Sequence, residues 1–298
     1  MAIMEQVGVE RFLRRARWLD QFGEQLQGVV NGAFTNTGPA GIRIRNFLNG
    51  TWLGRPLHAA VSDAPVGLWT GAAIFDVLSI VTGDRRFRHA ADWCVGLGIG
   101  AGAITALSGL ADYSKLEDPQ RDAATLHALI QTTGTANYIA SLVQRSRGNR
   151  SAGLVFGFIG YGLIAFGADL GGYLVYNLGT LVSRQAWQQP PTTFTPVLAA
   201  SELANNTLRC AEANGYKVLL ARVNGQIYAI GDTCSHWGCS LAGGHLMGDV
   251  VKCPCHGSEF NLRNGSVVEG PASQPEPYFE VREENGQILV RLAPDSVV

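Results

Sequence analysis

Two short segments of this sequence bring thiol and imidazole side chains together. The first is Cys234-Ser235-His236 and the second is Cys253-Pro254-Cys255-His256. Two thiolates can anchor one iron of a [2Fe–2S] cluster while two neutral imidazoles bind the other. This mixture raises the reduction potential to roughly −150 to +300 mV, against about −400 mV for plant-type clusters held by thiolates alone. The segments therefore predict one-electron transfer.

A structural zinc ion is the alternative occupant of these segments, because cysteine and histidine at such short spacings also bind zinc tetrahedrally. Zinc would leave two further cysteines unexplained. Cys239 lies just after the first segment and Cys255 lies inside the second. We therefore favour the cluster, and metal analysis must exclude zinc.

The motifs CSHWGC and CPCHGS resemble the two ligand boxes of the Rieske proteins of cytochrome bc1 and b6f complexes. The resemblance covers the C-terminal third of the chain and implies an antiparallel all-β domain. It implies that Cys234 and Cys253 ligate the buried iron, and that His236 and His256 ligate the exposed iron.

The same resemblance implies three further features around the cluster. Cys239 and Cys255 form a disulfide between the loops, the Ser258 hydroxyl donates a hydrogen bond to a cluster sulfide, and Gly270-Pro271-Ala272 covers a third side. One position departs from the family: Phe260 stands where quinol-oxidising members usually have a tyrosine. We therefore expect a potential below the family's upper range. Rieske ferredoxins and oxygenases generally lack the extra cysteine pair.

The composition indicates a membrane protein. Of 298 residues, 46% are hydrophobic and only 16% are charged, with 37 glycines. Four stretches are long and apolar enough to cross a bilayer of about 30 Å. A soluble bundle with apolar buried helices is the alternative. The four predicted spans are Val66–Gly83, Trp93–Tyr113, Ala123–Val143 and Ala152–Leu174.

Glycine pairs favour the membrane interpretation, because glycines four residues apart allow helices to approach closely in a bilayer and weaken helices in water. Such pairs occur at Gly98 and Gly102, and at Gly153 and Gly157. Aromatic residues near the ends of the spans are expected at the headgroup level. These are Trp69, Trp93, Tyr113 and Tyr173.

The segment before the first span reads as an amphipathic helix, with apolar residues recurring every three or four positions and Arg14, Arg15, Arg17 and Glu24 among them. It is expected to lie on the membrane surface, to pack on the cluster domain or to be solvated. No apolar core of a signal peptide follows Arg14-Arg15. The apolar positions are Phe12, Ala16, Leu19, Phe22, Leu26 and Val29.

The stretch from Leu48 to Asp63, with the motif LNGTWLG, resembles the entry to an uncharacterised family of four-span bacterial membrane domains that extends to about Gly179. The polar, proline-bearing residues after it predict a linker. The predicted domains are 1–57 (amphipathic helix and lead-in), 58–184 (four transmembrane helices), 185–196 (linker) and 197–298 (Rieske domain).

An even number of spans puts the N-terminal region and the cluster domain on one side of the membrane. The opposite side carries two short arginine-rich loops around Arg86 and Arg147, which the positive-inside rule assigns to the cytoplasm. The cluster domain is then periplasmic, where a disulfide persists. The number of positive residues near the membrane is nearly equal on the two sides, because the segment before the first span carries Arg43, Arg45 and Arg55.

Two histidines, His58 and His127, fall near the ends of spans on one side of the membrane. Ionisable groups in such segments are candidates for function. They could ligate a haem b, line a quinone pocket, contact a partner subunit or lie at the wet interface without a cofactor.

Together these features predict a membrane-anchored Rieske electron-transfer protein in a bacterial plasma membrane. It would be a subunit of a quinol-oxidising, respiratory or photosynthetic complex, passing electrons from quinol or a redox subunit to a cytochrome or a reaction-centre-like partner. No substrate-transforming site and no nucleic-acid partner are expected. The alternatives are a redox-sensing or assembly factor, and a stand-alone quinol oxidoreductase with a haem in the helical domain.

Overall fold

The computed structural model describes residues 9, 11–13 and 15–296. Arg14, part of the expected N-terminal helix, lies outside the described residues. The chain divides into two compact units. The helical unit consists of the described residues up to Thr37 together with Leu57–Thr180, and the β-rich unit consists of Gly38–Pro56 together with the described residues from Leu181 onward.

Most helices belong to the helical unit, and α2 belongs to the β-rich unit. A π-helical turn, Tyr173–Asn177, follows the last helix. In chain order the α-helices are α1 Arg17–Thr35, α2 Pro39–Asn49, α3 Leu57–Val61, α4 Asp63–Thr82, α5 Arg85–Tyr113, α6 Gln120–Ser146 and α7 Arg150–Gly172.

Three helical segments are long and apolar enough to cross a membrane: Leu57–Thr82, Arg85–Tyr113 and Arg150–Asn177. They coincide with three of the four predicted spans, so a helical membrane region followed by a β domain is confirmed. The fourth prediction coincides with α6, which has 27 residues but is less apolar, since it carries polar side chains such as Gln131 and Asn137.

Local signals fix the ends of the long helices. Asp84 Oδ1 accepts a hydrogen bond from the Arg86 backbone N–H (2.8 Å) at the start of α5, and Asn149 Oδ1 accepts one from the Ala152 N–H (3.3 Å) at the start of α7. These side chains satisfy backbone donors that a helix leaves free at its first turn. Gly83 ends α4 in the left-handed conformation (φ 71°).

The interior of the helical unit is organised around Trp69, which is 2% exposed. Its ring stacks on Tyr138 of α6 with centroids 4.5 Å apart. The indole lies directly against Gly98 and Gly102 of α5, so the glycine pair does permit close approach, here of a side chain to a helix. Trp69 and the buried Tyr113 are therefore not headgroup anchors, whereas Trp93 is exposed.

Four charged side chains form a cluster at the start of α7. Asp76 is buried and pairs with Arg145, and Arg150 pairs with Asp92. Cross-pairs connect Arg145 to Asp92 (2.8 Å) and Arg150 to Asp76 (2.6 Å). Each buried charge therefore has an opposite partner, as burial requires.

The predicted amphipathic helix is present as α1, and its contacts lie within the helical unit. Gln27 Nε2 donates to the backbone carbonyls of Tyr113 (3.0 Å) and Leu116 (2.8 Å). Of the predicted apolar face, Leu19 is buried, whereas Phe22 and Val29 are exposed and the neighbouring Val30 is buried instead.

The β-rich unit contains two antiparallel sheets. A six-stranded sheet has the order β1-β10-β9-β4-β3-β2, and a four-stranded sheet has the order β5-β6-β7-β8. The strands are β1 Thr195–Ala199, β2 Thr207–Ala213, β3 Tyr216–Val223, β4 Gln226–Gly231, β5 His245–Met247, β6 Val250–Lys252, β7 Glu259–Asn261, β8 Val267–Glu269, β9 Tyr278–Glu284 and β10 Gln287–Leu292.

Both predicted hairpins are confirmed. Asn224-Gly225 connects β3 to β4, and Asn285-Gly286 connects β9 to β10. All four turn residues have positive φ, which is the geometry of the two-residue turn that asparagine and glycine favour. The ligand segments lie elsewhere, in the loops after β4 and β6.

The contact between Trp69 and Gly98 generates a stability prediction. A Cβ at Gly98 would overlap the indole, so Gly98→Ala should destabilise the helical unit by about 1–3 kcal/mol through overpacking. Gly100→Ala is the matched control, since a Cβ there meets nothing within 4 Å. Thermal unfolding in detergent, followed by circular dichroism, should show a lower midpoint for Gly98→Ala alone. Equal midpoints would contradict this packing.

Candidate metal centre

The first ligand segment lies in a tight loop after β4. The Cys234 N–H donates to the Cys239 carbonyl (2.9 Å), and the Gly238 N–H donates to the Cys234 carbonyl (2.7 Å). Gly238 adopts φ 81°, a conformation that glycine takes without strain. These bonds hold Cys234 and His236 at fixed positions in the loop.

The second ligand segment lies between β6 and β7. The Cys253 N–H donates to the Ser258 carbonyl (2.8 Å), and Gly257 provides the positive φ of 78°. The two loops thus have similar local chemistry, with a cysteine N–H closing the turn and a glycine allowing it.

The structure brings the predicted residues of both loops together. Cys234 and Cys253 are both buried, and the rings of His236 and His256 have centroids 5.0 Å apart. Cys239 and Cys255 form a disulfide with Cα atoms 6.5 Å apart, as the resemblance implied. The disulfide ties one ligand loop to the other.

The protonation states suit metal ligands. Burial lowers the pKa of His236 to about 3, with His256 and Arg184 acting in the same direction, so this imidazole is neutral. A hydrogen bond from the Cys234 thiol lowers the pKa of Cys253. The same bond, together with burial, raises the pKa of Cys234. One of the two cysteines, Cys253, therefore deprotonates readily, and the thiolate is the metal-binding form.

Exposure differs between the two histidines. His236 is only 6% exposed, whereas His256 is half-buried. The Arg184 guanidinium lies over the Trp237 ring beside it, 5.1 Å from the centroid. His256 is therefore the more exposed of the two histidines.

A buried carboxyl group supports the first loop. Glu276 is 0% exposed, and its Oε1 accepts a hydrogen bond from the Ser235 N–H (2.6 Å). Gln185 Nε2 donates to the other oxygen (2.7 Å), and Tyr216 donates to Gln185 Oε1 (2.9 Å). Burial raises the pKa of Glu276 to about 8. Sequence reasoning missed this network because Glu276 lies 41 positions from Ser235 and Gln185 was placed in a linker.

The loop that contains Gly270 and Pro271 lies over Ser258. The Ala272 N–H donates to Ser258 Oγ (3.0 Å), and Ser258 is fully buried. Because Oγ accepts this bond, its own hydrogen is available for another acceptor.

Helix α2 holds this covering loop from outside, within the β-rich unit. Arg45 pairs with Glu269 (2.9 Å), and the Arg45 side chain is only 5% exposed. Asn46 accepts from the Gly270 N–H (3.1 Å) and donates to the Val268 carbonyl (3.3 Å). From the sequence alone, Arg45 is only a positive charge before the first span.

Two regions of the chain match known protein families. Residues 193–284 match the Rieske [2Fe-2S] domain family, and residues 54–184 match a family described as predicted membrane protein (DUF2231). The chain is 40% identical over 95 residues to "Ferredoxin CarAc" of Metapseudomonas resinovorans, covering 32% of this chain and 89% of that protein. The chain belongs to the Rieske [2Fe–2S] family. The Rieske domain is fused here to a helical membrane domain.

Other relatives share the Rieske domain in different settings. The chain is 33% identical over 101 residues to "Apoptosis-inducing factor 3" of Homo sapiens, covering 34% of this chain and 17% of that protein. It is 32% identical over 94 residues to "Cytochrome b6-f complex iron-sulfur subunit" of Chlorobaculum tepidum, covering 32% of this chain and 51% of that protein. The matched region therefore spans about half the length of the b6f subunit and 17% of the length of the apoptosis-inducing factor.

A Rieske domain implies a [2Fe–2S] cluster, and the residues present fit one. His236 Nδ1 is buried without a hydrogen-bond partner in the described part of the chain. A buried polar atom normally has a partner, so an orphaned imidazole nitrogen beside two buried thiols suits a metal ligand. The donor set of two thiols and two imidazoles is the one that this cluster type takes.

Ser258 and Phe260 generate a prediction about the potential. Ser258→Ala should lower the midpoint potential, because a hydroxyl donor stabilises the more negative reduced cluster. Phe260 is fully buried beside Cys234 and Cys253 in the same core cluster, so Phe260→Tyr should raise it. For a one-electron couple, about 59 mV corresponds to about 1.4 kcal/mol, the size of one hydrogen bond.

Potentiometric titration of the purified chain measures both shifts. The exposed Ser201, in the short turn after β1, gives the control Ser201→Ala, which should leave the potential unchanged. Potentials of Ser258→Ala and Phe260→Tyr equal to the control would mean that neither side chain reaches the cluster.

Proposed function

We propose that this chain is a membrane-anchored Rieske electron-transfer subunit of a quinol-oxidising, respiratory or photosynthetic complex. Cys234 and Cys253 ligate the inner iron, His236 and His256 ligate the outer iron, and Ser258 donates to a cluster sulfide. The observation that carries this proposal is the meeting of two buried thiols and two imidazoles on loops joined by the Cys239–Cys255 disulfide.

The bound cluster supplies a one-electron couple at a mixed-ligand potential. The protein residues position and insulate it. Cys234 and Cys253 are buried, so the side of the cluster that they bind is shielded from water. Glu276 accepts a hydrogen bond from the Ser235 N–H and so fixes the backbone between Cys234 and His236. His256 is the more exposed imidazole, so an electron donor or acceptor docks at His256, and that ring carries any coupled proton.

Several observations support the choice of partners. A quinol donor and a cytochrome or reaction-centre-like acceptor fit a carrier anchored in the membrane, and the b6f subunit is among the relatives. The relatives also include a ferredoxin, which makes a soluble donor the competing possibility. The disulfide favours the first set, since it matches the bc1 and b6f boxes.

The proposed location is a bacterial plasma membrane with the Rieske domain on the periplasmic side. Disulfides persist in oxidising compartments and are rare in the cytosol. The loops that carry Arg85, Arg88 and Arg147 are then cytoplasmic, in line with the positive-inside rule.

A second candidate is a stand-alone quinol oxidoreductase, in which the helical unit itself holds a haem or a quinone. The close approach of His58 and His127, 6.4 Å between ring centroids, favours this candidate.

Electron paramagnetic resonance tests the function directly. Quinol added to native membranes should generate a reduced-cluster signal with an average g value below that of all-cysteine clusters, because imidazoles bind the ferrous iron. His236→Cys and His256→Cys should abolish or transform the signal, and His245→Ala, an exposed histidine on β5, should not.

Two outcomes would contradict parts of this account. One zinc and no iron in anaerobically purified protein would show that the site binds zinc and not a [2Fe–2S] cluster. A normal signal with dithionite but none with quinol in native membranes would retain the cluster and exclude quinol as donor.

Cysteine labelling tests the compartment. In protein taken directly from cells and denatured, Cys239 and Cys255 should resist alkylation until a reductant is added, because an oxidising compartment keeps them paired. Cys94 and Cys210, which are free thiols, serve as internal controls that label at once. An external protease should cut near Gln188–Pro196 in spheroplasts and spare the loop at Arg85–Arg88. The opposite pattern for both measurements would place the Rieske domain in the cytoplasm.

A further inference from the structure

Two histidines of the helical unit lie close together and take no part in the Rieske site. His58 is on α3 and His127 is on α6, and both are half-buried. Their ring centroids are 6.4 Å apart and the ring planes are nearly perpendicular, at 84°. Residues 69 positions apart in sequence thus meet inside one unit.

Each imidazole is held in one tautomer by a backbone carbonyl. His58 Nδ1 lies 2.9 Å from the Thr105 carbonyl oxygen on α5, and His127 Nδ1 lies 2.8 Å from the Gly167 carbonyl oxygen on α7. A carbonyl only accepts, so each Nδ1 carries the hydrogen and each Nε2 has a free lone pair. Metal-binding histidines are oriented by the same kind of bond.

Each imidazole ring packs against a glycine that lies one helical turn after the residue whose carbonyl the ring contacts. A Cβ at Gly109 would lie 2.9 Å from His58 Nδ1, and a Cβ at Gly171 would lie 3.3 Å from His127 Cε1. The pairs Thr105–Gly109 and Gly167–Gly171 therefore form matching seats on α5 and α7. Two independent seats of the same design indicate a built site.

The spacing suits a metal between the rings. An ion held linearly by two imidazole nitrogens at about 2.0–2.1 Å places the nitrogens about 4 Å apart and the ring centres about 6 Å apart. Neither Nε2 has a hydrogen-bond partner among the residues that the structure describes.

The surroundings restrict which metal species fits. Groups of three or more potential ligands occur elsewhere in the described chain, and none of these groups includes His58 or His127. Zinc sites take three or four protein ligands, so two imidazoles alone do not make one. The iron of a porphyrin has its own equatorial donors and needs only axial ligands from the protein.

We propose that His58 and His127 are the two axial ligands of a b-type haem in the helical unit. Cofactor sites between facing helices are a regular property of helical bundles. The haem would give the chain a second one-electron carrier. The proposal rests on the helical unit alone and stands whether or not the Rieske domain accepts electrons from quinol.

The test uses the full chain, produced in a host supplied with haem and purified from membranes in detergent. The haemochrome assay should find one b-type haem per chain, with the low-spin spectrum of two nitrogen ligands. His58→Ala and His127→Ala should each lose that spectrum. His89→Ala is the matched control, because His89 is an exposed histidine on α5, and it should retain the haem.

A variant that keeps both ligands separates ligation from folding. Gly109→Ala should displace the His58 ring and weaken haem affinity by about 10–100-fold, the usual effect of disturbing a ligand's orientation. Gly100→Ala, on the same helix and facing open space, should not. Thermal unfolding of each preparation in detergent, followed by circular dichroism at a helical wavelength, reports whether the helical unit of the variant is folded.

Two results would overturn the proposal. The first is folded protein that contains no haem after production with haem and takes up none when haemin is added. Protein that carries a quinone in place of haem counts as this result. The second is haem that stays bound with an unchanged spectrum in both His58→Ala and His127→Ala.

Discussion

As the proposed cluster ligands, Cys234 and Cys253 are buried and yet have to bind as thiolates, and this constraint accounts for the architecture of the Rieske domain. A buried anion is costly unless a cation or hydrogen-bond donors compensate it. The two ligand loops therefore need fixed backbone geometry, which glycine turns, the Cys239–Cys255 disulfide and the Glu276–Ser235 bond supply. The loop above Ser258 closes the site, and α2 holds that loop through Arg45 and Glu269.

Features with local causes were predictable from the sequence. The ligand loops, the Asn-Gly hairpins and the apolar spans each depend on residues close together in the chain. The disulfide followed from resemblance to known ligand boxes. The prediction that glycine pairs let helices approach closely is wrong for Gly98 and Gly102, where the Trp69 side chain fills the space, but it agrees with Gly153, where a Cβ would lie 3.3 Å from the Ser141 carbonyl oxygen of α6.

Features that depend on distant residues could not be predicted in the same way. Arg45 lies 224 positions from Glu269, and nothing in the LNGTWLG region indicates that the preceding helix belongs to the β-rich unit. Gln185 was assigned to a linker because the residues after it are polar and proline-rich, yet it is buried against Glu276. The sequence placed His58 and His127 on the same side of the membrane but did not show that they lie close together. The carbonyl and glycine contacts of the two rings depend on helices far apart in sequence, so they could not be predicted.

The central claim is that two thiolates and two imidazoles bind the cluster asymmetrically. Pulsed electron paramagnetic resonance of the reduced full chain, labelled with 15N-histidine, tests it most directly. The account predicts couplings from two inequivalent histidine nitrogens, with one lost in each of His236→Cys and His256→Cys. A reduced cluster coupled to fewer than two histidine nitrogens in the unmodified chain would contradict it.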